Sequence, residues 1–509
     1  MEIFDPFTFS TGSLAELSLR EGRIVMQPFG AAIGWQQHID FISVRMAPVA
    51  LLIILNKITA ISSNTLLFQP INGILYIFLA YVLGLAFCQS KRAATLYAAI
   101  MAFDVTVIEV TNNIFYESLG YSLLMTFLIL CLRALRSRTR SIISLMLLVF
   151  VTLYFTYYSM EFIALALTIG LSLLLVLTKR RMKPESQSSR ALFVHLALCL
   201  TVIFLSFDSI VYQYLSSHGS GLEVAVGYSV SYLSYLSQAL MKSGGAIERY
   251  SSGEASPPYF HVTELTYRVL LPLPIVAFLL LRLVKKLNVS PFWKKSEIVY
   301  LSLTFSALAH FVVYLTYPVL NVISMYILFP LLALYSIQEL PYLTRRLKLR
   351  SIGRALIIAI LLIGLMRFPA LLADPGKPSF TYSVSEPSIT FLISHLGEGT
   401  DSVVSTHQIS GYTTYISTRL NKHVFTFTLG QDAEALYSHN SDDLGKLFAR
   451  REYDFILLPS EITKKPLFAS AWSIRPPAPE ASFLFNANTA FDRIYDDHRV
   501  YTFFYSPKM

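Results

Sequence analysis

Long apolar runs separated by short polar connections fill most of this chain, and their length predicts membrane-crossing helices. Crossing the hydrocarbon core takes about 20 apolar residues. Runs of that kind predict helices at 66–88, 93–111, 118–135, 141–157, 159–178, 191–213, 265–284, 297–317, 319–337 and 353–373, about ten crossings. Pro272 and Pro274 are expected to kink one of them and Pro330 another, because proline removes a backbone donor. Residues 46–61 are apolar but short, start beside Arg45 and Pro48, and contain Asn56 and Lys57. They fit either an eleventh crossing, with residues 1–45 inside, or a helix lying in the membrane interface, with residues 1–45 outside.

Beyond residue 375 the pattern changes to shorter alternating elements with aqueous levels of Asp, Glu, Ser, Thr and His. Strands are expected at 402–405, 423–427 and 454–458, helices at 408–418 and near 432–450, and a closing hairpin from FDRIY and RVYTFFY. Alternating strands and helices predict an α/β layer. The expected organisation is mainly α: a loop and juxtamembrane helices over 1–65, a polytopic helix bundle over 66–374 with a long loop at 214–264, and an extracytoplasmic α/β domain over 375–509.

Composition supports membrane residence: of 509 residues, 54% are hydrophobic and only 14% charged, and the mean hydropathy is +0.54. Clustered basic residues fall in five short loops, around Lys91–Arg92, Arg133–Arg140, Lys179–Arg190, Arg282–Lys295 and Arg345–Arg354. Lys and Arg flanking a span stay cytoplasmic, so this alternation fixes an orientation in the cell membrane and puts the tail outside. The net charge of +9 resides mainly in those loops, which favours membrane lipids over nucleic acid as its partner. Cys88, Cys131 and Cys199 lie in predicted spans without metal-ligand spacing, and the tail has no cysteine to bridge.

No phosphate-binding loop, dinucleotide fingerprint, zinc-protease motif or nucleophile elbow is present. What remains is a set of carboxylates at predicted outer positions: Asp5, Asp40, Asp104, Glu109, Glu117 and Glu161. Asp104, Glu109 and Glu117 surround the turn VTNNIFYES, and Glu117 opens a helix, where the backbone dipole alone favours a carboxylate. Tyr154, Phe155, Tyr157 and Tyr158 crowd the same level as an expected interfacial belt. Asp208 is expected to reach the interface, and His310 to bond a neighbouring helix.

The segments FDPFTFSTGSLAELSLREGRI, VRMAPVALLIILNKITAIS and LLFQPINGILYIFLAYVLGLAF, in that order, resemble the start of the GT-C superfamily of polytopic glycosyltransferases, which includes protein mannosyltransferases and oligosaccharyltransferases. There an acidic residue, a helix and a glycine lead into a juxtamembrane helix. AATLYAAIMAFDVTVIEVTNNIFYESLGYSLLMTF, YFTYYSMEF, YDFILLP and IYDDHRVYTFFY are similar to later parts of archaeal and bacterial members. The resemblance implies Asp5 as catalytic base and Glu117 as its companion, with Asp104, Glu109, Glu161 and Asp40 near substrate. It also implies that the family's first span is absent and that 46–61 is juxtamembrane. The implied reaction is hexosyl or pentosyl transfer from a polyprenyl-phosphate-linked sugar to a glycan, lipid or protein acceptor.

Two departures stand out. LNVISMYILFP has no Arg where several members hold the donor phosphate. Pro6 and Phe7 follow Asp5, so no acidic pair for a divalent metal forms there, and the expected set carries no metal ligand. The alternatives are a non-catalytic scaffold or binding protein of this fold, and a secondary transporter, which predicts ionisable residues near the bilayer midplane.

Overall fold

The computed structural model describes residues 6–22, 46–61, 66, 71–104, 116–136, 139–156, 158–177, 187–208, 266, 270–286, 299–304, 307, 327–344, 353, 355–363, 365–366, 386–396, 401–420, 422, 424–429, 436, 441–459, 467–470, 473–475, 485, 490–496 and 500–506. Two compact units share them. One joins 1–68, 247–256 and 375–509; the other joins 69–246 and 257–374.

The helical unit contains α3 (Ile71–Cys88), α4 (Lys91–Phe103), α5 (Tyr116–Arg136), α6 (Arg140–Tyr154), α7 (Tyr158–Leu177), α8 (Gln187–Ser206), α9 (Pro272–Lys286) and α10 (Phe329–Thr344). The turn between α3 and α4 is two residues long. Gln89 adopts a left-handed conformation (φ 53°) and its N–H donates to Leu85, closing α3. Ser90 then caps α4 by accepting from the Ala93 N–H. Packing contacts join α3 to α4 and α5, α5 to α6, and α7 to α6 and α8.

Hydrogen bonds fix which ends lie together. Asn72 at the start of α3 donates 2.8 Å to Ser118 at the start of α5, and Arg136 at the end of α5 donates 2.6 Å to Ala86 at the end of α3. These two helices therefore run parallel. Tyr154 at the end of α6 donates 3.0 Å to Phe207 beyond α8, so α6 and α8 are parallel too. Ser172 of α7 donates 2.8 Å to Phe193 of α8, which makes that pair antiparallel.

The helices at Ile71–Cys88, Ser118–Arg136 and Met160–Leu177 are long and apolar enough to cross a membrane, and shorter apolar helices stand at Arg140–Tyr154, Ala191–Ser206 and Pro272–Arg282. Ile74, Phe78, Leu148, Leu173, Leu198 and Val202 point large apolar side chains outward. Such a surface suits lipid rather than water. The protein is a helical membrane protein.

Pro272 is the first residue of α9, and Pro274 also lies in its first turn, where the missing N–H has no intrahelical partner to lose. Helical residues also stand at 266 and 270, and a turn at Leu271 interrupts the run directly before Pro272. Pro330 lies in the first turn of α10, directly after a widened i→i+5 turn at Ile327–Leu328, and the Tyr97 hydroxyl donates 3.1 Å to the Ile327 carbonyl there.

The second unit holds α1 (Pro6–Glu21), α2 (Met46–Thr59), α11 (Glu386–His395), β1 (Ser402–Ser405), α12 (His407–Arg419), β2 (Phe425–Thr428), α13 (Ser441–Arg451), β3 (Phe455–Pro459), β4 (Leu467–Ser470), β5 (Ser473–Arg475), β6 (Phe491–Asp496) and β7 (Val500–Tyr505). The main sheet has the order β2-β1-β3-β7-β6, with β1 parallel to β2 and β3, and the β6–β7 hairpin antiparallel. Both faces are covered, as the alternation along each strand requires. Val404, Ile456, Leu458 and Phe503 pack with Leu444 and Phe448 of α13, whereas Val403, Leu457 and Val500 pack with Ile389, Ile393, Ile409 and Ile416 of α11 and α12.

α1 begins on Pro6 and ends before Gly22 at φ 67°, proline and glycine each at the helix boundary they favour. It packs on α12 and on α2. α2 has 14 residues and so rises about 21 Å, short of the roughly 30 Å hydrocarbon core. Pro48, Val49 and Leu52 are buried, while Ile54 and Ile58 are exposed.

Candidate functional site

The helix directions of the bundle sort its charges by end. Lys91 and Arg92 open α4, Arg133 and Arg136 close α5, and Arg140 opens α6, all at one end. The opposite end holds Asp104 after α4, Glu117 in the first turn of α5, Glu161 in the first turn of α7, and Asp208 after α8. Polar groups gather there as well. Asp104 is buried at the C-cap of α4, and Asn72, Ser118 and Ser122 are buried alongside the α3–α5 contact.

Glu161 and Asp208 are held by a rigid frame. The Tyr154 ring stacks on Phe207 at 5.0 Å and 28°, and its hydroxyl bonds the Phe207 carbonyl, locking the ends of α6 and α8 together. Phe155 meets both rings edge-on, at 5.2 and 5.6 Å. Tyr154 is thus a fully buried inter-helix staple, not a member of an interfacial belt. The backbone widens to an i→i+5 turn at Phe207–Asp208, a geometry frequent at functional sites. Asp208 is 3% exposed, enclosed by the protein.

Glu161 is fully buried, and among the described residues neither carboxylate oxygen has a hydrogen-bond partner. Buried polar groups nearly always have partners, so this side chain is an exception that requires a cause. A cluster of acids at one end of a helical bundle suits the binding of hydroxyl-rich or cationic ligands.

The structure brings Asp104, Glu117 and Glu161 to the same end, Glu117 by its backbone position. Asp5, Asp40, Glu109 and His310 lie outside the described residues, as does the 214–264 loop. Among the described residues, no group of three or more His, Cys, Asp and Glu assembles in a way that holds a metal. Cys88 and Cys131 are buried and Cys199 is exposed on the helix surface, all as free thiols. Sequence reasoning missed the burial of Glu161 and Asp208, although the reading of the spans had put both at outer helix ends.

The bundle gathers its acids at one end and its basic residues at the other, in one chain with an α/β layer. Among solved structures, the chain is similar to the Archaeoglobus fulgidus oligosaccharyltransferase tethered to an acceptor peptide containing the NVT sequon, with a TM-score of 0.55 and 14% identity over 91% of this chain. It spans 66% of that transferase's length. The apo form of the same enzyme gives a TM-score of 0.54 at 14% identity, covering 97% of this chain and 76% of the other. ArnT from Cupriavidus metallidurans bound to undecaprenyl phosphate gives 0.42 at 12% identity, covering 99% and 94%. No protein-family model and no curated protein matches the sequence.

Proposed function

We propose that this chain is a GT-C-type membrane glycosyltransferase that moves a sugar from a polyprenyl-phosphate-linked donor to an acceptor at the outer face of the cell membrane. The observation that carries the reading is the oligosaccharyltransferase-like fold over 91% of the chain, with its acids gathered at one end of the bundle. The donor class comes from the sequence resemblance. Asp5 acts as general base: it accepts the proton of an acceptor hydroxyl as that oxygen attacks the anomeric carbon, while the bond from that carbon to the carrier phosphate oxygen breaks and the configuration inverts. Glu117 orients the acceptor, and Asp104, Glu109, Asp40 and Glu161 stand around the transferred sugar.

The test is transfer from a radiolabelled lipid-linked sugar in vesicles carrying Asp5→Asn. A lost general base lowers turnover by about 10²–10⁴. Undiminished turnover removes Asp5 from the mechanism. A second reading, a non-catalytic membrane protein whose α/β domain binds a glycan or protein, is favoured by the lack of an Arg in LNVISMYILFP. It predicts no transfer by the unmodified chain from any lipid-linked sugar.

A further inference from the structure

Cations from two separate segments meet at the turn between α3 and α4. The Arg136 guanidinium, at the end of α5, donates 2.6 Å to the Ala86 carbonyl in the last turn of α3. Lys91 and Arg92 open α4 directly after the turn. All three side chains are exposed, and among the described residues none of them pairs with an Asp or Glu. Gln338 of α10 donates 3.3 Å to the Cys88 carbonyl beside the same turn, and Glu339 follows it, which still leaves a positive excess there. Like charges gathered at one turn repel. The bond to Ala86 keeps Arg136 from swinging away, so an anion resting on the turn offsets that repulsion.

The helix that ends here is long and apolar enough to cross a membrane, and its Ile74 and Phe78 face outward. Its end therefore lies at headgroup level, with acyl chains alongside. We propose that Lys91, Arg92 and Arg136 bind the phosphate headgroup of one anionic phospholipid, in the leaflet at the basic end of the bundle. Guanidinium groups present paired N–H donors that match two phosphate oxygens, and the ammonium adds a point charge. A basic loop that only sets orientation needs charge without a fixed position. Here a hydrogen bond holds one guanidinium against the turn where two further cations stand. The site depends neither on sugar transfer nor on the direction of insertion.

Native mass spectrometry of the purified full chain in detergent, titrated with phosphatidylglycerol or with zwitterionic phosphatidylcholine, tests it. The unmodified protein is expected to retain one phosphatidylglycerol more tightly than any phosphatidylcholine. Lys91→Gln and Arg92→Gln should each weaken that binding by about fivefold, the effect of one basic residue near an anionic headgroup, and Arg136→Gln by at least as much. Arg136→Lys, which keeps the charge and loses the paired donors, should fall between Arg136→Gln and the unmodified chain. Arg140→Gln, at the same end but on α6, separates a discrete site from a diffuse basic surface. It should leave binding unchanged, and a loss equal to that of Arg92→Gln overturns the site. Equal retention of the two lipids overturns it too, as does release of the phosphatidylglycerol by millimolar inorganic phosphate, which marks a free-anion site instead. Thermal melting keeps the outcome readable if Arg136→Gln misfolds. Phosphatidylglycerol should raise the midpoint of the unmodified chain but not of the chain carrying Lys91→Gln and Arg92→Gln together, and an equal rise in both overturns the site. Because binding and melting are read without turnover, its failure is distinct from failure of the transferase reading.

Discussion

Gly84 sets how closely α3 and α4 approach. A Cβ built there would lie 3.0 Å from the Ala94 Cα and 3.2 Å from the Tyr97 ring. Ala94 and Tyr97 are both fully buried, and backbone cannot retreat as a flexible side chain does. In lipid, where apolar faces gain nothing by leaving the solvent, such close backbone contact carries much of helix association. Gly84→Val should therefore wedge α3 from α4 at about 1–3 kcal/mol. It should also pull the Tyr97 hydroxyl from the Ile327 carbonyl. The expected outcome is a thermal midpoint several degrees lower in detergent, and an unchanged midpoint would refute the close-packing role. The sequence shows a glycine in a span, but which neighbour it admits depends on a helix rotation that an almost uniformly apolar run does not encode.

At the scale of elements, α1 and α12 show the same limit. Leu14, Ala15 and Leu17 are buried on α1, which packs on α12 across some 400 residues of chain. Leu17→Asp puts a charge into that contact, and loss of the leucine alone is worth about 2–5 kcal/mol. Hydrogen exchange should show α12 amides losing protection by about tenfold per 1.4 kcal/mol, with α7 unaffected. Equal loss in α7 would mean global unfolding instead.

Elements with local signals were legible: SVVS, FILLP and the FDRIY–VYTFFY hairpin all form strands, because alternation and turn residues act over a few positions. The α1–α12 docking was not, since neither helix carries a mark of its partner. The candidate site divides likewise. Glu161 announced itself as an acid between two apolar runs, whereas its complete burial depends on how α7 packs, which no local signal encodes.

For the whole molecule, the α1–α12 contact imposes a parity rule: α1 and α12 share a compartment, so the crossings between them must be even in number. Ten crossings satisfy this and an eleventh at 46–61 does not, in keeping with a 14-residue α2 too short to cross. By the positive-inside rule we expect the basic end of the bundle, with Lys91, Arg92 and Arg140, in the cytoplasm, and the proposed orientation puts α1 and the α/β domain outside. Single cysteines read this directly once Cys199, the exposed native thiol, is replaced by serine. On intact cells, a membrane-impermeant maleimide should label Lys446→Cys in α13 and Arg20→Cys in α1, and should reach Arg140→Cys only after permeabilisation. Labelling of Arg140→Cys alone would invert the protein. If the Arg20 and Lys446 variants fall on opposite sides, the number of crossings is odd, and α1 cannot rest on α12 in the membrane.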